Sequence, residues 1–277
     1  MTKGRKGVAG FFTNLVTLIY SVTCIYPVIW MAYSSLKSTK DFESNVIGLP
    51  TALKFENYVT ILSGTDLPIY MVNTIRNTAI SLVFIVLFGF VNGFIISRYR
   101  FKGRGALFTL YMLGMLVPVH ALLVPMYILF SNAGLTNAWF TVALPNIAFG
   151  LPMALFLVEG YVSTIPPDID EAAAIDGASF SRTMFTIIFP IAIPILITVG
   201  IINFFGCWNE FSFSLVLLKS QRLYTVPLGL TLFKGTYRND YPRMMTTMVL
   251  AMVPALIIYV AFSKQIIKGM MAGAIKG

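Results

Sequence analysis

Six apolar runs, at about 11–34, 78–97, 106–130, 140–161, 191–217 and 244–262, decide what this chain can fold into. Each is long enough for a helix to cross about 30 Å of hydrocarbon, and in lipid the backbone polar groups must be paired within the segment itself. The expectation is an all-α integral membrane protein with six transmembrane helices, a single membrane domain over 1–277. Hydrophobic residues make up 57 % of the chain and charged residues 11 %, against about 45–50 % and about 25 % in soluble chains. A soluble domain of this length could not hide so much apolar surface.

Charge placement orients the runs. Lys3, Arg5 and Lys6 precede the first run and no small-residue cleavage site follows it, so it reads as a retained span with a cytoplasmic amino terminus. Arg98, Arg100, Lys102 and Arg104 crowd the short loop after the second run and hold it on the cytoplasmic side, whereas Ser131–Trp139 carries no Lys or Arg and belongs outside. Alternation then returns the region around Glu171, and the tail Ser263–Gly277, to the cytoplasm. The long polar connection Leu36–Asn77 is expected outside, partly as short interfacial helices. The outer segment Leu218–Arg243 runs against this simple picture, with Lys219, Arg222, Lys234, Arg238 and Arg243; these are expected to be solvated. The net charge of +9 is spread singly or in short clusters between apolar runs, which suits anionic lipid headgroups and not a nucleic acid. Cys24 and Cys207 lie in apolar runs, read as small buried hydrophobes, and give no disulfide or metal spacing.

Asp170–Pro190, DEAAAIDGASFSRTMFTIIFP, is polar and patterned among greasy neighbours. Pro166 and Pro167 precede a short helix from Asp168, with Asp168, Asp170 and Glu171 in its first turn, where carboxylates favour the dipole. Ala172–Ala174 leave its surface bare. Gly177 suits the left-handed position that ends it, and Ser179 can cap a second helix with Phe180, Met184, Ile187 and Ile188 on one stripe beside Ser181 and Arg182.

Glu171-Ala172-Ala173, Gly177, Ile187 and Pro190 closely resemble the EAA loop of ABC-importer permeases, the membrane subunits that dock onto a separate ATPase. Ile175–Ser179 is similar to the version in the carbohydrate-uptake branch, of maltose-permease type. Phe55–Tyr58, Tyr70–Thr74 and Trp208–Phe211 (WNEF) resemble segments of the same family, and Lys268–Gly277 resembles the tail of its second permease subunit. Phe189 stands where the pattern usually has Leu. The resemblance implies a type I importer permease with a core region over 70–262, in a bacterial plasma membrane with both termini cytoplasmic. It implies ATPase coupling through Asp170, Glu171, Ala172, Ala173, Asp176, Gly177, Ala178, Ser179 and Pro190, with Lys268, Gly269, Gly273 and Lys276 of the tail reaching the ATPase. It implies partners too: a second permease subunit forming a heterodimer, an ATPase dimer and an extracytoplasmic sugar-binding protein. ATP and magnesium belong to the ATPase, since no G-x-x-x-x-G-K-[ST] run exists in this chain.

Polar residues within the spans are candidates for the substrate path, because each is costly in hydrocarbon unless it meets a partner or water. Asn203, Trp208, Asn209 and above all Glu210 are chosen on that ground. A bond to a neighbouring subunit is the competing role for Glu210. Glu159, at the inner end of the fourth run, is expected to reach the interface. His120, the sole histidine, is expected to be a hydrogen-bonded packing residue, and Pro118 and Pro125 to bend the third span. Catalysis is not expected: one histidine gives no metal pair, and Gly177-Ala178-Ser179 lacks the second glycine of a nucleophile elbow. An ion-coupled secondary transporter is the alternative from another class, although no inverted repeat is evident, and an importer of glycerol-phosphate or another anionic ligand shares these motifs.

Overall fold

In the computed structural model residues 3–236 and 240–274 are described, helical through most of their length and without a strand. They form two compact units, Met1–Leu67 with Leu230–Val253 and Pro68–Gly229 with Pro254–Gly277.

In the first unit, α1 (Lys3–Ser34) leads to two short helices, α2 (Thr39–Ser44) and α3 (Glu56–Gly64). Ser38 caps α2 by accepting from the Asp41 amide, and Asp41 in turn accepts from the Thr51 amide at 3.0 Å. Lys37 is fully buried, with its ammonium donating to the Asn45 carbonyl at 2.7 Å and lying over the Tyr33 and Phe42 rings. The apolar window of α1 is wholly unburied within this chain. Cys24, expected to be buried, is therefore exposed.

The second unit is built on α4 (Leu67–Arg98), α7 (Ala143–Val162) and α9 (Phe180–Trp208). Their shared core holds Phe90, Phe94, Ala154, Val158, Ile188 and Val199. Gly89 and Gly93, one turn apart on α4, let the two backbones come close: a Cβ at either would stand 2.6 Å from Ala154 Cβ or 2.7 Å from Val158 Cγ1. Small residues spaced by four are a general means of packing helices in lipid, where apolar bulk earns nothing extra.

Between α4 and α7 the third apolar run is not one continuous helix. The helix α5 (Arg104–Leu116) stops before Pro118, and after a turn at Val119–Leu122 the chain continues as α6 (Leu123–Asn132), bent by 91°. Pro118 alone makes the break. Pro125 lies in the first turn of α6, where a missing N–H is harmless, so the expectation that both prolines bend the span is corrected. Among the described residues five helices are long and apolar enough to cross a membrane, or six if the bent pair counts as one.

The short helix α8 (Asp168–Ile175) precedes α9, and α9 ends before α10 (Ser212–Leu217), α11 (Val226–Thr236) and α12 (Tyr241–Ala274). Three elements differ from the apolar runs. Helix α4 starts at Leu67 instead of Thr78. The fifth run is not continuous to Leu217, because the helix stops at Trp208. The second helix of the polar stretch and the fifth span are one body, joined through a π-helical turn at Thr183–Ile188. That turn lies just before Pro190, which lacks an N–H and clashes with an ordinary preceding turn; widening the helix there accommodates it.

Candidate functional site

Two places in the second unit gather the polar residues singled out by sequence. The first is the α8–α9 corner. Gly177, at φ +74°, takes the left-handed position, its amide bonding the Ala174 carbonyl at 3.0 Å while the Ala178 amide bonds Ala173 at 2.9 Å. This 6→1, 5→2 pair is a Schellman end. Ser179 then caps α9, accepting from the Arg182 amide. On α9, Met184 and Ile188 enter the core, Ile187 packs against it, and Phe180 meets the rings of Phe94 and Tyr99.

Ala173 is buried, whereas Glu171, Ala172, Ala174, Ile175, Asp176 and Gly177 all face outward. Ile175 is 87 % exposed, the large apolar side chain that α8 leaves uncovered while Ile169 packs on the core. The sequence reading valued Ile175 only as part of a motif; its position between alanines and Asp176, off the buried Ala173 face, was the signal available. A second missed residue is Arg98. Its Nε lies 2.8 Å from Asp170 Oδ2, the two side chains being only 11 % and 24 % exposed, and so ties the end of α4 to α8. Burial pushes the Asp170 carboxyl above the usual carboxylate range, against the pull of Arg98. Arg104 and Glu159 form a looser pair, 4.0 Å apart, between α5 and the end of α7.

The second place is a cavity of about 400 Å³ lined by residues of α7, the end of α9 and the turn before α6. Asn203, Asn209 and Glu210 all border it, but Trp208 does not. Trp208 is buried, stacks on Phe204, and faces a separate apolar groove with Ile75, Ala79 and Ile257. Glu210 has a structural part besides bordering the cavity. Its carboxylate accepts from the Phe213 and Ser214 amides and from Ser214 Oγ, so it caps α10 and satisfies the amides freed by the break after Trp208. Ser214 Oγ also accepts from Thr225 Oγ1 at 3.0 Å, and the next amide, Val226, donates to Thr74 Oγ1 on α4. Asn73 donates to the Arg222 and Tyr224 carbonyls. The Asn73 end of α4 is thus tied to the 222–226 segment as its Arg98 end is tied to α8.

Asn203 and Asn209 donate to the Val199 and Phe205 carbonyls, each one turn back. His120 is hydrogen-bonded as expected, its Nδ1 3.5 Å from Ser212 Oγ, but it is exposed at the cavity wall instead of packed. Sequence reading missed Asn146 on α7, which also lines the cavity; it lay inside an apolar run, and its register relative to Asn203 was not legible. Lys268, Gly269 and Gly273 fall on α12, while Arg238 and Lys276 lie outside the described residues.

Residues 85–271 match the family described as binding-protein-dependent transport system inner membrane component. The trehalose/maltose transport system permease MalG of Thermococcus litoralis is 32 % identical, over 94 % of each chain. The multiple sugar-binding transport system permease MsmG of Streptococcus mutans is 31 % identical, over 99 % of this chain and all of its own. Among solved structures, a chain of a bacterial ABC transporter involved in the import of the acidic polysaccharide alginate superposes with a TM-score of 0.83 at 20 % identity, covering 95 % of this chain and 98 % of that one. With a family match over most of its length and relatives aligned end to end, this chain belongs to the binding-protein-dependent transport system inner membrane components, the permease subunits of ABC importers, and is a transport component rather than an enzyme.

Proposed function

We propose that the chain is one permease subunit of an ATP-driven sugar importer, forming half of the translocation path with a second permease subunit and taking its drive from an ATPase dimer through residues 168–190. The observation that carries this reading is the α8–α9 corner: a short helix with Glu171, Ala172, Ile175 and Gly177 outward, joined to a membrane-length helix by a hydrogen-bonded turn. Bare alanines permit close approach, Ile175 offers apolar surface, and Glu171 offers a charge for a cation on the ATPase. The Schellman end fixes the angle, so closure of the ATPase turns α8 and the start of α9 as one piece. Through Arg98 the end of α4 follows. The result is a two-state gate biased by its partner. ATP and magnesium sit on that partner, and Lys268–Lys276 reach toward it. The corner, both termini and the Arg98–Arg104 loop face the cytoplasm; an extracytoplasmic binding protein delivers the ligand at the other face. A saccharide ligand is supported by the names of the relatives, which refer to trehalose/maltose and multiple-sugar transport.

The test is reconstitution with the cognate ATPase and binding protein. The chain copurifies with the ATPase dimer, and Glu171→Ala or Gly177→Leu lowers sugar uptake per ATP hydrolysed about tenfold without preventing membrane insertion. Normal coupling in both variants refutes the lever.

A further inference from the structure

Three donors at the carboxyl end of α1 converge on one short loop. Trp30 and Tyr33 lie one turn apart on the helix, and Lys37 follows just beyond it. Trp30 Nε1 donates to the Val46 carbonyl at 3.0 Å, the Tyr33 hydroxyl to the Ile47 carbonyl, and the Lys37 ammonium to the Asn45 carbonyl at 2.7 Å. Three consecutive carbonyls therefore turn inward onto the end of α1. Amides of the same stretch are engaged as well: that of Asn45 bonds the Asp41 carbonyl, that of Gly48 bonds Asn45 Oδ1 at 2.8 Å, and that of Thr51 bonds the Asp41 carboxylate. Pro50 has no N–H to satisfy. What is left to face outward is apolar. Ile47 is 70 % and Leu49 73 % exposed, and residues 45–53 include no charged side chain.

A loop built this way can enter the edge of a bilayer without stranding peptide groups there, which is the penalty that keeps ordinary loops out of apolar surroundings. Its height follows from what holds it. Trp and Tyr settle where hydrocarbon meets headgroups, because one end of each ring system is apolar and the other donates a hydrogen bond. Here both stand at the end of a helix whose apolar window is left wholly uncovered by this chain, and that uncovered surface continues into Ile47 and Leu49. Lys37, the cation nearest the loop, is fully buried, while Glu43 on α2 is exposed and marks the watery side. We propose that residues 46–49 form an interfacial wedge, with Ile47 and Leu49 inserted at the boundary of headgroups and acyl chains and with Trp30, Tyr33 and Lys37 as positioning residues. The interfacial element of the Leu36–Asn77 connection is then a loop, where the sequence suggested short helices. The inference requires α1 to span the membrane and is independent of which ligand is carried.

The test uses the complete transporter in lipid nanodiscs, with Cys24 and Cys207 replaced and a nitroxide attached to Ile47→Cys, to Leu49→Cys or, as the aqueous reference, to Glu43→Cys. Each label replaces an exposed side chain, so the fold is not at stake. Power saturation compares collisions with oxygen, which concentrates in lipid, and with the water-soluble chelate nickel-EDDA. The ratio of oxygen to nickel accessibility at 47 and at 49 is several-fold higher than at 43, as for apolar side chains of other interfacial segments. Trp30→Phe keeps an aromatic ring but removes the donor; the freed Val46 carbonyl then seeks water, and the ratio at 49 falls toward that at 43. Equal ratios at 43, 47 and 49 overturn the wedge and place the loop in water. Labels at 47 and 49 that neither reagent reaches overturn it as well, since a partner protein then covers the loop. A ratio at 49 that Trp30→Phe leaves unmoved overturns the positioning role of the indole.

Discussion

Asp170 sits with its carboxylate 2.8 Å from Arg98, yet its carboxyl is held above the usual range, so burial outweighs the cation. A carboxyl raised by folding stabilises the folded chain fully below its unfolded value, about pH 4, and that contribution is lost as pH rises through the folded value. At neutral pH Arg98 limits this loss. Arg98→Gln therefore costs about 1–3 kcal/mol near pH 7.5, between exposed and buried pairs, and less at pH 5, where Asp170 is more fully protonated. Melting of the purified complex at the two pH values checks both size and sign. Asp170 was legible as a first-turn carboxylate of a short helix, but its partner was not. Arg98 was read as an orienting charge in a basic loop, a role that gives no hint of a contact across more than seventy residues.

Packing between elements explains what periodicity concealed. Apolar runs show where a helix is affordable in lipid, yet they are silent about where one bends. Pro118 and Pro125 read alike in sequence, and only their places relative to a helix start separate a break from a tolerated residue. Gly89 and Gly93 likewise read as ordinary span residues, although they set the approach of α4 to α7. Changing either to Leu forces side chain into Ala154 or Val158 and costs about 1–3 kcal/mol or more. Gly200→Ala, with nothing within 4 Å, leaves stability level or slightly raised. Thermal melts of the three variants in one detergent test the contrast. The Gly177 turn and Ser179 cap were legible because each depends on local chemistry: a left-handed backbone and an amide needing an acceptor. Glu210 was not, because its partners exist only once the fifth run breaks at Asn209.

At the scale of the molecule, α4 has 32 residues and so is on the order of 48 Å long, more than the hydrocarbon thickness. Its Arg98 end carries α8 and its Asn73 end carries the 222–226 segment, so the two ties lie toward opposite ends of one helix. With Cys24 and Cys207 replaced, Lys102→Cys and Asp176→Cys should react with an impermeant maleimide only from the cytoplasmic side, and Ala133→Cys and Lys219→Cys only from the other. Labelling of all four from one side would defeat the six-span order. The charge asymmetry that suggested this order is nearly balanced by the basic Leu218–Arg243 segment, and the ion pair to Asp170 places the Arg98 end of α4 beside α8. The wide turn at Thr183–Ile188 has a geometric sequel. Because each residue in a helix turns the chain by about 100°, the compass bearing of the Glu171 lever around the bundle is dictated by how many residues separate it from Pro190. Deleting a single one would swing the lever sideways with every side chain on it intact.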